Sequence, residues 1–349
     1  MSAKATEEEA AEPPHPRATE VLFGHAGAET AFLAAYRSGR VPHAFLIVGP
    51  KGIGKAALAY RMARFVLAHP GPAAAQVKKA TSLAVDSNDP VARRIAAQGQ
   101  GDLLILERTL NEKGVLRQQI AVDDVRRTVS FFGSTAGEGG WRIAIVDAVD
   151  ELNRSSANAL LKVLEEPPER ALLLLVSHSA ARVPATLRSR CRIITLRPLA
   201  EPDVAAAVAA ASRTAASAPE VLAAAAAAEG SVARALALLD EDALALRQQA
   251  LDLLDGLPAL DANGMHALGD ALAGTDPQPL ASFIDTVNAW LSLRLHREGG
   301  DRTDIGRLAR LAEVWERINA ATRDATEYNL ERKPLVFNVF GLLAEATRR

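Results

Sequence analysis

Between Gly49 and Ala56 the chain reads Gly-Pro-Lys-Gly-Ile-Gly-Lys-Ala, a phosphate-binding loop without its last functional group. The pattern G-x-x-x-x-G-K-[ST] cradles phosphates with backbone N–H groups, reaches them with its lysine and sets a hydroxyl on Mg²⁺. Gly49, Gly52, Gly54 and Lys55 suit such a loop, whereas Ala56 stands where the hydroxyl belongs. The flanks agree. Phe45 to Val48 predicts a short buried strand, and Ala56 to Leu67 predicts a helix. A phosphate loop between a strand and a helix commits the N-terminal part of the chain to an α/β fold.

Four further apolar runs predict strands: Leu103 to Leu106, Ile143 to Val146, Leu172 to Val176, and Ile193 to Leu196. Continuous short runs suit a parallel sheet buried on both faces. The clearest helix lies over Asn153 to Glu166. Ala157, Leu160, Leu161 and Leu164 repeat there with helical spacing, and Pro167-Pro168 ends it. The stretch from Pro70 to Gln100 is polar and shows no clear period. After Pro198 no strand pattern returns. Glu201 to Leu239 is rich in alanine, the best helix former, and predicts two or three small helices. From about Ala243 onward the chain is helical. Leu308, Leu311, Val314, Trp315 and Ile318 form one stripe, and Val336, Phe337, Val339, Phe340 and Leu343 another. Such stripes fill a domain's own core or face another subunit.

With 349 residues, 49% of them hydrophobic and 23% charged, the chain suits two or three soluble domains. No apolar run reaches the roughly 18–20 residues of a membrane span. The segment Met1 to Arg17 is acidic and proline-containing, lacks the apolar stretch of a signal peptide, and reads as a disordered cytoplasmic tail. A single cysteine, Cys191, excludes an internal disulfide and a cysteine-rich zinc site. The net charge of −2 does not advertise nucleic-acid binding by the chain as a whole.

Hydrolysis needs an acidic pair after a strand, one carboxylate for Mg²⁺ and one to polarise water. Asp147 supplies the first, but Ala148 replaces the second. The metal hydroxyl and the water-polarising carboxylate are therefore both missing, which argues against hydrolysis. Gly49 to Ala56 could equally be a corner kept for fold geometry, and Asp147 a capping or loop aspartate. Arg188, Arg190 and Arg192 alternate just before the last strand. On their own they read as a solvated edge. At that place in a phosphate-loop fold, one of them can project into a neighbouring subunit's nucleotide as an arginine finger.

Three segments together resemble the delta prime family of bacterial DNA polymerase III, clamp-loader members of the AAA+ superfamily. They are His43 to Leu46 with Gly49 to Lys55, Asn158 to Pro168, and Leu187 to Arg192. The likeness runs from about Val21 to Leu199. It implies a phosphate-loop domain over 19–198, a helical lid over 199–242 and an all-α collar over 243–349, behind a disordered tail over 1–18. The Ser189-Arg190-Cys191 tripeptide matches the family's motif and makes Arg190 the finger in trans. Ser177 falls at the first-sensor position, and Gly230 to Arg234 resembles the second-sensor helix, with Arg234 as its arginine.

The resemblance also implies partners. The family's members sit in a five-subunit ring with gamma/tau ATPase motors and a delta subunit, and load a sliding clamp onto primer-template DNA. A subunit of this kind has no ATPase of its own although it belongs to a DNA-directed DNA polymerase holoenzyme. It requires no cofactor. Some relatives carry a four-cysteine zinc module after the phosphate-loop helix; Pro70 to Gln100 has no cysteine, so no zinc is expected. The well-kept Gly49 to Lys55 leaves weak, Mg²⁺-independent ATP or ADP binding open. The alternatives are a catalytically active motor subunit that tolerates Ala56 and Ala148, and an adaptor of similar build serving another machine.

Overall fold

A computed structural model of the chain describes residues 15–109, 117, 119–133, 140–274, 276–298, 305–328 and 330–348. It divides into two compact units, Met1–Leu236 and Ala237–Arg349.

The first unit is built on five parallel strands: β1 (Ala44–Val48), β2 (Leu103–Glu107), β3 (Arg142–Asp147), β4 (Ala171–Ser177) and β5 (Arg192–Thr195), in the spatial order β2-β3-β4-β1-β5. Each lies within one residue, at either end, of the run expected from the sequence. Helices link them: α1 (Ala26–Arg37) precedes β1, and α2 (Lys55–Ala68), α3 (Ala75–Lys79) and α4 (Pro90–Ala96) follow it. Then come α5 (Val122–Gly133), α6 (Arg154–Glu165) and α7 (Ala185–Arg188), and after β5 α8 (Glu201–Ser212), α9 (Pro219–Ala227) and α10 (Val232–Ala237). The polar stretch after the phosphate-loop helix thus holds two short helices, each with too few apolar positions to show a period.

Strand residues alternate between faces, so the sheet feeds two cores. Ala44, Leu46, Val48, Ala144, Val146, Leu173 and Leu175 pack with Ala157, Leu160, Val163 and Leu164 of α6 and with Val125 and Phe132 of α5. On the other face Phe45 meets Phe32 of α1 edge-on, with ring centroids 5.2 Å apart. The fully buried leucines here contribute roughly 1.5–3 kcal/mol each. At its start α6 is capped by Asn153, whose side chain accepts from Ser156 N–H at 2.8 Å; loss of such a cap costs about 1 kcal/mol. β5 lies at one edge of the sheet, and Arg192, Ile193 and Thr195 on it are exposed.

Residues 1–14 of the expected disordered tail lie outside the described residues. The remainder departs from that expectation. Pro16–Ala18 forms a 3₁₀ turn against α2. Arg64 on α2 donates to Arg17 O at 2.6 Å and Thr19 O at 3.1 Å, and Arg61 donates to Glu20 O. Two buried guanidiniums need acceptors, and the backbone of this segment supplies them.

The second unit contains α11 (Glu241–Asp255), α12 (Ala262–Ala271), α13 (Pro277–Glu298), α14 (Ile305–Glu327) and α15 (Arg332–Thr347). It begins a few residues before the boundary expected at 242. Its core includes Leu254, Leu268, Phe283, Leu291, Leu311, Val314, Ile318, Val336, Val339, Phe340 and Leu343. Among the described side chains of the two sequence stripes, Leu311, Val314, Ile318, Val336, Val339, Phe340 and Leu343 therefore fill this unit's own interior, Phe337 packs partly buried against it, and the exception is Trp315. That residue is 41% exposed and donates Nε1–H to Asn288 Oδ1 at 2.6 Å. The side chain of Leu308 lies outside the described residues.

Candidate functional site

The phosphate loop leaves the C-terminal end of β1 and enters α2 at Lys55. Its path runs through positive φ at three glycines, Gly49, Gly52 and Gly54. Gly49 has φ +154°, and a Cβ there would come within 2.6 Å of Leu196 O. Gly52 has φ +81°, and a Cβ there would fall on the Ser231 hydroxyl. Gly54 sits at the N-terminus of α2 and makes no side-chain cap. The loop is braced from two sides. His25 Nε2 donates to Ile53 O at 2.7 Å. Ser231 Oγ donates to Lys51 O, and Ala233 N–H to Gly52 O, both at 3.1 Å. The start of α10 is therefore seated directly on the loop.

Lys55 is 4% exposed and donates Nζ–H to Pro50 O at 2.5 Å. Burial depresses its pKa to about 8; Asp147 and Asp150 oppose that shift, and Lys51 adds to it. Asp147 ends β3 beside the lysine. Burial raises its pKa, against the pull of Lys55 and with help from Glu107 and Asp150. The two residues expected to share a nucleotide site are thus brought together. Ala56 and Ala148 place no oxygen there.

Several members of this group escape sequence reasoning. His178, one residue beyond β4, donates its backbone N–H to Asp150 Oδ1 at 3.0 Å. Burial first, then Lys55, drives its pKa down to about 4, so the imidazole is neutral at pH 7. Glu151 pairs with Arg108 at 2.8 Å. The carboxylates that follow Ala148 are therefore already engaged. Ser177 is fully buried, and its hydroxyl both donates to Ser179 O at 3.0 Å and accepts from Ser179 N–H at 3.1 Å. Arg234 donates to Ala228 O at 3.3 Å and pairs with Glu229 at 3.1 Å. Both sensor positions are bonded within their own turns. Ser177 and Arg234 were expected from the sequence and Ser231 lies inside the quoted second-sensor segment, whereas His25, His178 and Arg108 carried no sequence hint.

Arg190 lies elsewhere. It follows α7 and precedes β5, which runs parallel to β1 with Arg192 opposite Phe45 and Thr195 opposite Val48. It therefore stands at the N-terminal end of the sheet, whereas Lys55 stands at the C-terminal end. The four residues of β5 alone span about 13 Å. Its guanidinium donates through Nη1 to Thr186 O at 2.9 Å and through Nη2 to Glu165 Oε1 at 2.9 Å.

The flanking residues hold the turn. Ser189 Oγ donates to Thr186 O at 3.2 Å, and Cys191 Sγ to Leu187 O at 3.2 Å. Burial pushes the Cys191 thiol up to about 11, so it packs as a neutral group. Arg188 donates to Ala180 O at 3.0 Å, while Arg192 is exposed on the edge strand. The three alternating arginines are thus not equivalent solvated charges.

Comparison with known proteins places the chain in a family. The family described as DNA polymerase III, delta subunit, matches residues 24–200. DNA polymerase III subunit delta' of Pseudomonas aeruginosa is 37% identical over 149 residues, which cover 43% of this chain and 41% of the relative. The delta' subunit of Escherichia coli is 31% identical over 173 residues, covering 48% and 46%. Subunit tau of E. coli is 29% identical over 315 residues, covering 90% of this chain and 41% of tau. The chain thus spans less than half the length of each of these relatives. The profile match covers just over half of the chain, including the phosphate loop, α6 and Arg190, and the chain belongs to the family of the DNA polymerase III delta subunit.

Proposed function

We propose that the chain is a non-hydrolysing clamp-loader subunit of the delta prime type. It joins gamma/tau motors and a delta subunit in a five-membered ring, helps place a sliding clamp on primer-template DNA, and lends Arg190 to ATP held by a neighbouring motor. The observation that carries this reading is the placement of Arg190. It stands just before the edge strand β5, half in solvent, at the opposite end of the sheet from the chain's own phosphate loop. A guanidinium there serves a nucleotide on another chain better than one on its own. It is planar, permanently charged and able to bridge phosphate oxygens. The chain's own loop keeps a cation, Lys55, but lacks the metal hydroxyl and the water-polarising carboxylate, so it supports at most Mg²⁺-independent ATP or ADP binding. The cytoplasm is the compartment that fits such a role, and among the described residues no helix is long and apolar enough to cross a membrane.

Two assays test the proposal. The purified chain alone turns over no ATP. Left out of a mixture of motor and delta subunits, it abolishes loading of a labelled clamp onto primed DNA, and adding it back restores loading. Loading that proceeds equally without it contradicts the assignment. Turnover by the isolated chain that is lost in Lys55→Ala favours the motor-subunit alternative.

A further inference from the structure

Glu165 is the last residue of α6, just before Glu166, Pro167 and Pro168. Its helical register turns it toward the α7 turn, where Oε1 meets Arg190 Nη2 at 2.9 Å. Thr186 O receives the neighbouring Nη1 at 2.9 Å. The two acceptors come from different elements, one from the end of α6 and one from α7. Together they fix the plane of the guanidinium. Two of its five N–H groups are used, and three are left to meet an anion. The pair is half in solvent, with side-chain exposures of 36% for Arg190 and 50% for Glu165. Glu166, next in sequence, is exposed and has no part in this contact.

We propose that Glu165 is the positioning residue of the finger, holding Arg190 in its working rotamer before the neighbour's nucleotide arrives. This rests on the assignment of Arg190 as the finger. An arginine side chain loses much rotamer freedom when it is fixed. A carboxylate that fixes it during folding removes that cost from the catalytic encounter, where preorganised charge is most effective. Glu165 touches no phosphate itself and acts only through Arg190. An exposed pair is weak, so the effect is a graded one rather than an on–off switch.

The test is a double-mutant cycle in the reconstituted ring, read as clamp- and DNA-stimulated ATP turnover. Glu165→Ala lowers the turnover of the one site that Arg190 serves roughly two- to fivefold, the range expected for an exposed pair, so the whole ring loses less than it does with Arg190→Ala, while the KM for ATP and the elution of the ring are unchanged. Glu165→Gln keeps an acceptor oxygen and falls between Glu165→Ala and the unmodified chain. Glu166→Ala, the control, has no effect. In rings already carrying Arg190→Ala, adding Glu165→Ala changes nothing further. A purely structural role for Glu165 would add its own loss there, and that result overturns the proposal. So does a Glu165→Ala ring as active as the unmodified one when Arg190→Ala is impaired. If Arg190→Ala itself is fully active, the finger assignment fails first, and the two failures are told apart by which variant is silent.

Discussion

At Lys55 a buried ammonium lies on the Pro50 carbonyl, and its pKa falls from an ordinary 10.5 to about 8. Between those values the folded chain binds fewer protons than the unfolded one. Stability therefore rises with pH across that window, and below about pH 8 the cost of burying the charge is fully in force. Lys55→Met, which fills similar space without a charge, is expected to melt higher than the unmodified chain at pH 7, with the gap narrowing by pH 10. A gap that does not change with pH contradicts the shift. The Glu29–Arg61 pair makes the opposite case, because both side chains are buried, at 9% and 5% exposure. Glu29→Gln leaves the guanidinium uncompensated and is expected to destabilise the chain by about 3 kcal/mol, read in thermal or urea unfolding. An effect near zero would mean that the carbonyl of Glu20 alone satisfies Arg61.

At the scale of elements, the contact between α10 and the phosphate loop is made by single hydrogen bonds and is correspondingly tunable. Ser231→Ala removes the bond to Lys51 O and is expected to cost about 1 kcal/mol. Gly52→Ala costs more, because the new methyl falls on the Ser231 hydroxyl at a positive φ. Melting curves of the two variants, compared with Gly133→Ala, where a Cβ meets nothing within 4 Å, check that order.

The same scale shows why part of the fold was legible. Helix α6 announces itself by the spacing of Ala157, Leu160 and Leu164, all of them buried. Leu161, read into the same stripe, is only partly buried, and Val163 takes the core position. A 3.6-residue period leaves such neighbours undecided until a sheet fixes the angle of the helix. The phosphate loop was legible because its parts are contiguous. The contacts of His178 with Asp150, of Ser231 with Lys51 and of Arg190 with Glu165 join segments distant in sequence, and no local pattern announces them. Trp315 looked like core because spacing alone does not show that Asn288 draws its indole N–H outward.

For the whole molecule, chemistry and candidate assembly surface fall in different units. The phosphate loop, Asp147, Arg190 and Glu165 lie in Met1–Leu236, while Ala237–Arg349 is a helical bundle with its own core. A chain ending at Leu236 is expected to remain folded by circular dichroism and to lose co-elution with motor and delta subunits. Co-elution that persists would remove the collar assignment for the second unit. The central claim is narrower, namely that one guanidinium of the first unit completes a neighbour's active site. Loss of an arginine finger lowers the rate at its own site by roughly 10³–10⁵, diluted in a ring whose other sites keep theirs. The most direct measurement is the clamp- and DNA-stimulated ATPase of assembled rings carrying Arg188→Ala, Arg190→Ala, Arg190→Lys or Arg192→Ala. The account predicts that Arg190→Ala alone loses about the share of turnover due to one motor site, that Arg190→Lys recovers little of it because the fork is lost, and that the other two stay near the unmodified rate. Equal, small losses at Arg188, Arg190 and Arg192 would contradict it.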